Sequence, residues 1–253
     1  MTENSTMKKL TGKVAVVTGA SSGIGAASAQ ALAQEGATIV VAYNQGLARA
    51  ETLCAALPGK GHHILQLPLE DAAAHDAAAN WLAREFGQID VLVNSAGFTK
   101  RIPHADLAAL DSVLFNQILA ANVGGAYSIT RALMPLLRAS GNAVVINVSS
   151  VSAFTGSGSN IAYCAAKAAL DTMTMSLARV LGPEVRFLSV SPAAVDTAFV
   201  PGRDRTELEQ KAAKTPLGRV VTPQDVAEAV LACVTHLRTA TGTRIVIDGG
   251  SSL

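Results

Sequence analysis

Short apolar runs alternate with longer helical stretches from one end of this chain to the other, and that alternation limits the folds open to it. Residues 14–17 (Val-Ala-Val-Val) form a run that stops at a glycine turn, the pattern of a strand buried on both faces. Further strands are expected at 38–41, 64–67, 89–93, 143–148, 185–190 and 244–247. Helices are expected between them at 24–35, 47–57, 71–86, 107–137, 162–181 and 223–237. Gly36, Pro58-Gly59, Gly87 and Gly182-Pro183 stand at their ends, while Gly124-Gly125 and Pro135 disturb the longest one. Thr222 reads as the N-cap of the last helix, with Pro223 in its first turn. Strict alternation calls for right-handed crossovers and a parallel sheet covered on both sides. No linker, composition break or repeat divides the chain. The expected architecture is α/β: one doubly wound Rossmann-type domain over 10–253, with about seven parallel strands, helices on both faces, and a loose tail at 1–9.

Apolar residues make up 49% of the 253 residues and charged residues only 15%, which excludes a disordered chain. The net charge of +1 offers no field for nucleic acid or anionic lipid. No apolar run is long enough to span a bilayer, and the first ten residues are polar without a hydrophobic signal region. The expectation is a cytoplasmic protein with neither a membrane nor a nucleic acid as partner. Cys54, Cys164 and Cys233 are odd in number and widely spaced, so neither a disulfide framework nor a zinc site is expected. Adjacent His62 and His63 point to opposite sides of a strand, which argues against a shared metal.

The first turn reads Thr18-Gly19-Ala20-Ser21-Ser22-Gly23-Ile24-Gly25. Glycines between a strand and a helix let backbone approach a pyrophosphate, and the helix N-terminus offers free N–H groups to it. Gly19, Ser21, Ser22, Gly23, Ile24 and Gly25 are therefore candidate cofactor contacts. An acidic residue at the end of the second strand would bond the adenosine ribose and repel a 2′-phosphate; the chain has Tyr43-Asn44-Gln45 there. No Arg or Lys occupies Ser22 or Asn44, and Arg49 is the nearest base. The missing repulsion favours NADP(H), with NAD(H) as the alternative.

Ser150 ends the fifth strand, and Tyr163 and Lys167 lie one turn apart at the start of the next helix, on one face. A free phenol has a pKa of about 10, too high for ready proton exchange at neutral pH. One positive charge about 4 Å away is worth up to ~4 kcal/mol at an effective dielectric of 20. A neighbouring lysine can therefore bring a tyrosine into range for general acid–base work. An interfacial tyrosine beside a solvated lysine is the plain alternative.

These stretches together resemble the short-chain dehydrogenase/reductase family, over nearly the whole chain from Lys13 to Leu253. Five segments match in order: 18–25, 94–97, Asn122, Ser150 with Tyr163 and Lys167, and Ser191-Pro192 through Thr197. Within the family the chain looks like the single-domain ketone reductases and alcohol dehydrogenases, including 3-oxoacyl-carrier-protein reductases. The resemblance implies direct hydride transfer between nicotinamide and a ketone or secondary alcohol, without metal. It implies Tyr163 as acid in reduction and base in oxidation, Ser150 as the partner of the substrate oxygen, and Lys167 on the nicotinamide ribose, lowering the tyrosine pKa. Asn122 would bend its helix and position a water. Asn94, Ala96 and Gly97 would line the adenosine–ribose side, with Pro192, Val195 and Thr197 around the nicotinamide. Related enoyl reductases place the tyrosine and lysine farther apart, so C=O is favoured over C=C. Such proteins are usually homotetramers, with homodimers the alternative.

Three positions depart from the family pattern. Ser95 replaces an asparagine, Ala193 replaces a glycine, and Pro68 stands where relatives carry an adenine-binding aspartate, leaving Leu69 backbone for that contact. The irregular stretch 192–219 follows a strand end, so its 193–215 portion is expected to be a lid, with a short helix near 206–214. Lys100, Arg101, Arg203 and Arg205 could attract an anionic substrate, although loop bases are usually solvated. A cofactor-sensing regulator with little catalysis is the competing function, and the intact Ser150–Tyr163–Lys167 group argues against it.

Overall fold

Each expected apolar run is a strand of one parallel sheet in the computed structural model, which describes residues 8–253. The strands are β1 (Val14–Val17), β2 (Thr38–Tyr43), β3 (His63–Gln66), β4 (Val91–Asn94), β5 (Ala143–Val148), β6 (Val185–Pro192) and β7 (Thr243–Ile247). Their order is β3-β2-β1-β4-β5-β6-β7, and every pairing is parallel. β1, β4 and β5 are buried along their whole length, as strands covered on both faces must be.

The helices are α1 (Gly23–Gln34), α2 (Leu47–Ala56), α3 (Ala72–Phe86), α4 (Ser112–Leu119), α5 (Gly125–Ser140), α6 (Ser152–Thr155), α7 (Ile161–Leu181), α8 (Arg205–Ala212) and α9 (Pro223–Thr235). One apolar layer joins α1, α2 and α9 to a face of the sheet through Leu32, Leu53 and Val230. The other joins α3 and α5 to the opposite face through Leu82, Leu133 and Leu137. Side chains of successive strand residues supply the two layers alternately: Ala15 and Val17 one, Val14 and Val16 the other. The strand order reverses at β1, so the loops after β1 and β4 diverge and leave a crevice at their carboxyl ends.

Thr222 caps α9 in a full capping box with Asp225, and Pro223 opens the helix, as expected. The expected helix over 107–137 is corrected. It begins at Ser112, because the Asp111 carboxylate accepts from Leu114 N at 2.8 Å and caps it there. It also carries a π-helical segment, Ala120–Gly124, between α4 and α5. The sequence reading also passed over α6, a single turn after β5. The short helix expected near 206–214 is α8. Of the expected tail at 1–9, residues 1–7 lie outside the described residues, while Lys9 is held: its Nζ is 2.8 Å from His236 Nε2. His62 and His63 have separate structural partners. His62 Nδ1 accepts from Ile39 N at 3.0 Å, and His63 packs edge-on against Trp81 and Phe86.

Candidate active site

The crevice opens into one cavity of about 1730 Å³ that runs from the first glycine turn to Tyr163. At the turn, Thr18 Oγ1 accepts from both Ser95 N and Ala96 N at 3.0 Å, which ties the end of β1 to the end of β4. Gly19 has φ +64°, and a Cβ there would lie 2.9 Å from Ala96 Cα. At Gly25 a Cβ would meet the Gly19 carbonyl oxygen at 2.5 Å. The close approach of these backbones, and not helix propensity, is what demands glycine. Ser22 is the N-cap of α1, in extended conformation and without a side-chain cap bond, so its side chain leaves the helix N-terminus uncovered. This cradle fits the pyrophosphate of a dinucleotide.

Gly19, Ser21, Ser22, Gly23, Ile24 and Gly25 all line the cavity, together with Tyr43, Asn44, Leu69, Ala96, Gly97, Pro192, Val195 and Thr197. Asn94 and Asn122 stand behind its wall. Asn94 is buried, and its Nδ2 donates to Thr130 Oγ1 at 3.1 Å and Asn147 Oδ1 at 2.9 Å, so the expectation that it lines the adenosine side is corrected. Asn147 Nδ2 passes the chain to Thr174 Oγ1 at 2.8 Å, and Ser189 Oγ joins there at 3.1 Å. This network braces β4, β5, β6 and α7 beneath the site. Asn122 sits in the π-helical segment, where Nδ2 donates to the carbonyls of Ile118 (2.9 Å) and Phe98 (2.7 Å). Its side chain thus takes up a carbonyl that the widened turn releases. Its Oδ1 is buried without a partner and lies against Gly97.

At the other end of the cavity, Ser150, Tyr163 and Lys167 converge. Asn160 caps α7, its Oδ1 accepting from Tyr163 N at 2.8 Å, and this fixes where the phenol starts along the helix. Ser150 Oγ accepts from Ser152 N at 3.1 Å in the turn that leads into α6. Lys167 Nζ donates to the Val148 carbonyl at 2.8 Å and lies 5.5 Å from the Tyr163 ring centroid. Burial pushes the phenol up to about 12, against the opposing pull of the Ser150 hydroxyl and the Arg203 guanidinium. Any lowering of the phenol's pKa by Lys167 is outweighed here by desolvation. The ammonium is turned toward Val148, and desolvation decides. Burial also pulls Lys167 down to about 8, and Asp171, one turn further along α7, works against that.

The 193–200 segment closes this end, and Phe199 packs 6.0 Å from Tyr163, centroid to centroid. The 193–215 stretch is irregular and carries no period to single out Phe199 as the side chain that turns inward. Arg101 makes two bonds to Glu207 at 2.8 and 3.1 Å and so fastens α8 to the loop after β4. At the opposite end of the cavity, His75 bridges Ser128 Oγ (2.8 Å) and the Pro68 carbonyl (2.6 Å), which holds the Leu67–Leu69 turn without an aspartate.

Residues 19–252 match the model of a protein family described as Enoyl-(Acyl carrier protein) reductase. The chain is 39% identical to ketoacyl reductase 2 of the granaticin polyketide synthase of Streptomyces violaceoruber, over 95% of this chain and 96% of that one. It superposes on a short-chain dehydrogenase/reductase of Burkholderia xenovorans with a TM-score of 0.87 and 34% identity, covering 94% of this chain and 97% of the other. A 3-ketoacyl-(acyl-carrier-protein) reductase of Brucella melitensis, solved in complex with NADH, gives a TM-score of 0.86 at 31% identity, covering 96% of this chain and 100% of that one.

Proposed function

The chain belongs to the short-chain dehydrogenase/reductase family, and from that premise we propose that it interconverts a ketone and a secondary alcohol, with Tyr163 as general acid in reduction and general base in oxidation. The observation that carries this reading is the placement of a half-buried phenol, beside Ser150, in the same cavity as an anion-receptive glycine turn. A nicotinamide coenzyme, when bound, supplies the hydride in one direction and accepts it in the other.

The chain's own residues then have separable tasks. Gly19, Gly23 and Gly25 hold the pyrophosphate, and Thr197, whose Cγ2 would lie 3.2 Å from a Cβ at Gly23, reaches the same end of the cradle. Ser150 turns its hydroxyl to the substrate oxygen. Tyr163, with its proton held tightly, gives it to an alkoxide, a far stronger base than the phenolate left behind. In the reverse direction Arg203 favours the phenolate, and Asp171 favours the charged form of Lys167. The four-residue spacing of Tyr163 and Lys167 supports C=O over C=C chemistry.

NADP(H) is the proposed coenzyme over NAD(H). No carboxylate follows β2, and the Arg49 guanidinium converges with the Ser21 hydroxyl over Gly46, where a Cβ would lie 2.6 and 2.8 Å from them. The 193–215 segment is proposed as the lid of the substrate end, fastened by the Arg101–Glu207 pair. A homotetramer is proposed from the apolar side chains that α4, α5 and α7 leave outward, Val113 (63% exposed), Tyr127 (50%) and Val180 (70%), and light scattering tests it.

Tyr163→Phe tests the central claim. Turnover falls by about 10²- to 10⁴-fold, while coenzyme binding, read by fluorescence titration, is retained. A variant that keeps the parent rate overturns the assignment.

A further inference from the structure

The cations that line the cavity differ in whether a partner satisfies them. Arg101 and Lys211 share Glu207, at 2.8 and 2.9 Å. Arg219 pairs with Asp225 at 2.7 Å, and Lys167 is bound to the Val148 carbonyl. Arg49 belongs to the adenosine end. Arg203 remains. It lies on the turn before α8, half-buried, with neither an ion pair nor a side-chain hydrogen bond among the described residues. Glu207, the carboxylate whose charge it feels most, already serves two other cations. Arg205, two residues on, shows the ordinary alternative: it is exposed and paired with Asp196 and Glu209.

A half-buried guanidinium has given up part of its hydration, and that cost is recovered when an oxyanion meets its planar fork. Arg203 also stands close enough to Tyr163 for each charge to stabilise the other. Phe199 supplies an apolar wall beside the phenol. The cavity end therefore offers three features together: a proton donor for a carbonyl oxygen, an apolar surface, and an unpartnered cation.

We infer that Arg203 grips an anionic oxygen group, a carboxylate or a phosphate, carried by the same substrate whose carbonyl meets Tyr163. The substrate class is then an oxo acid or a phosphorylated ketone, with the matching hydroxy compounds in reverse. The inference rests on the oxidoreductase reading above and deepens it.

The test compares matched substrates with saturating coenzyme: 2- and 3-oxo acids against their methyl esters, and phosphorylated hydroxyketones against the free ones. The parent protein prefers the anionic member of at least one pair by about tenfold or more in kcat/KM. Arg203→Leu raises KM for that member by about 10- to 100-fold, at least about tenfold more than any loss it causes on the neutral partner. Arg203→Lys falls between, because a point charge lacks the fork. Whichever pair responds tells carboxylate from phosphate. Circular dichroism confirms that each variant is folded, and Arg203→Gln replaces the leucine variant should that one unfold. Equal losses on charged and neutral partners, or a parent protein indifferent to charge, overturn the inference while the oxidoreductase reading stands. Absence of turnover with every carbonyl and alcohol, together with intact coenzyme binding, overturns both.

Discussion

Lys167 donates from its ammonium to the carbonyl of Val148 at 2.8 Å, so the last residue of β5 fixes the lysine that stands beside Tyr163. The contact satisfies one of three N–H donors. Asp171 adds a charge but no hydrogen bond, and its own nearest cation, Arg244, stands 3.5 Å away. Burial without full compensation is what draws the lysine down to about 8.

That lysine should leave a signature in stability against pH. In the unfolded chain it titrates at 10.5, in the native protein at about 8. Between these values the unfolded state binds more protons, so this group makes stability rise with pH across the window. The full effect is on the order of 3 kcal/mol. Cys233 and Tyr163, pushed up to about 11 and 12, act in the opposite sense above about pH 9 and 10, where their unfolded forms begin to lose protons. The informative quantity is therefore the difference between the parent and Lys167→Met in urea unfolding. The parent should gain on the variant from pH 8 to 10.5 and be the less stable protein below pH 8. A constant difference across that range sinks the assignment.

Gly25→Ala should damage the coenzyme cradle from within. Its Cβ would sit 2.5 Å from the Gly19 carbonyl oxygen, and Gly19 has no room to retreat, since it lies against Ala96. Overpacking of this kind costs about 1–3 kcal/mol. Thermal unfolding should show the loss, and coenzyme affinity should fall with it. Gly124→Ala is the contrast: the position is helical and its Cβ would have nothing within 4 Å. Coenzyme affinity should be untouched there.

The strands and most helices were legible because burial on both faces leaves an unbroken apolar run, and glycine or proline marks where it ends. The glycine turn, Tyr163 and Lys167 were legible because each has a local spacing. Asn94 was misplaced because it looks like a contact at a strand end, while its partner Asn147 comes from a distant segment. Arg203 was grouped with Arg101 and Arg205 in the sequence, and only the carboxylates around them separate it. The start of α4 was set by Asp111, a cap that an apolar pattern running through 107–110 concealed.

Arg49→Ala should change coenzyme choice more than catalysis. The guanidinium is exposed, so its worth is modest, and a 2′-phosphate would gain one charge-assisted contact with it and with Ser21. KM for NADPH should rise about 5- to 10-fold, with NADH within about twofold. Equal changes for both coenzymes would remove Arg49 from the phosphate site.

Asp90 anchors the other end of the sheet, and its loss should be felt in stability alone. Its carboxylate is buried and accepts from Ser140 Oγ at 2.7 Å, Val14 N and Lys13 Nζ at 2.9 Å, and Gln88 Nε2 at 3.2 Å. These donors outweigh burial and hold it below the usual 3.8. A depressed native value means stability that is present above the unfolded value and lost as pH falls through the native one. Asp90→Asn keeps the shape but loses the charge and one acceptor, which leaves Val14 N or Ser140 short of a partner, at about 3 kcal/mol. Urea unfolding at pH 7 should show that cost. The gap between parent and variant should close below about pH 4. The site is at the amino ends of β1 and β4, away from the cavity, so KM for coenzyme should stay unchanged in the folded variant. A gap that persists undiminished into acid would show that packing, and not the carboxylate's charge, holds this corner.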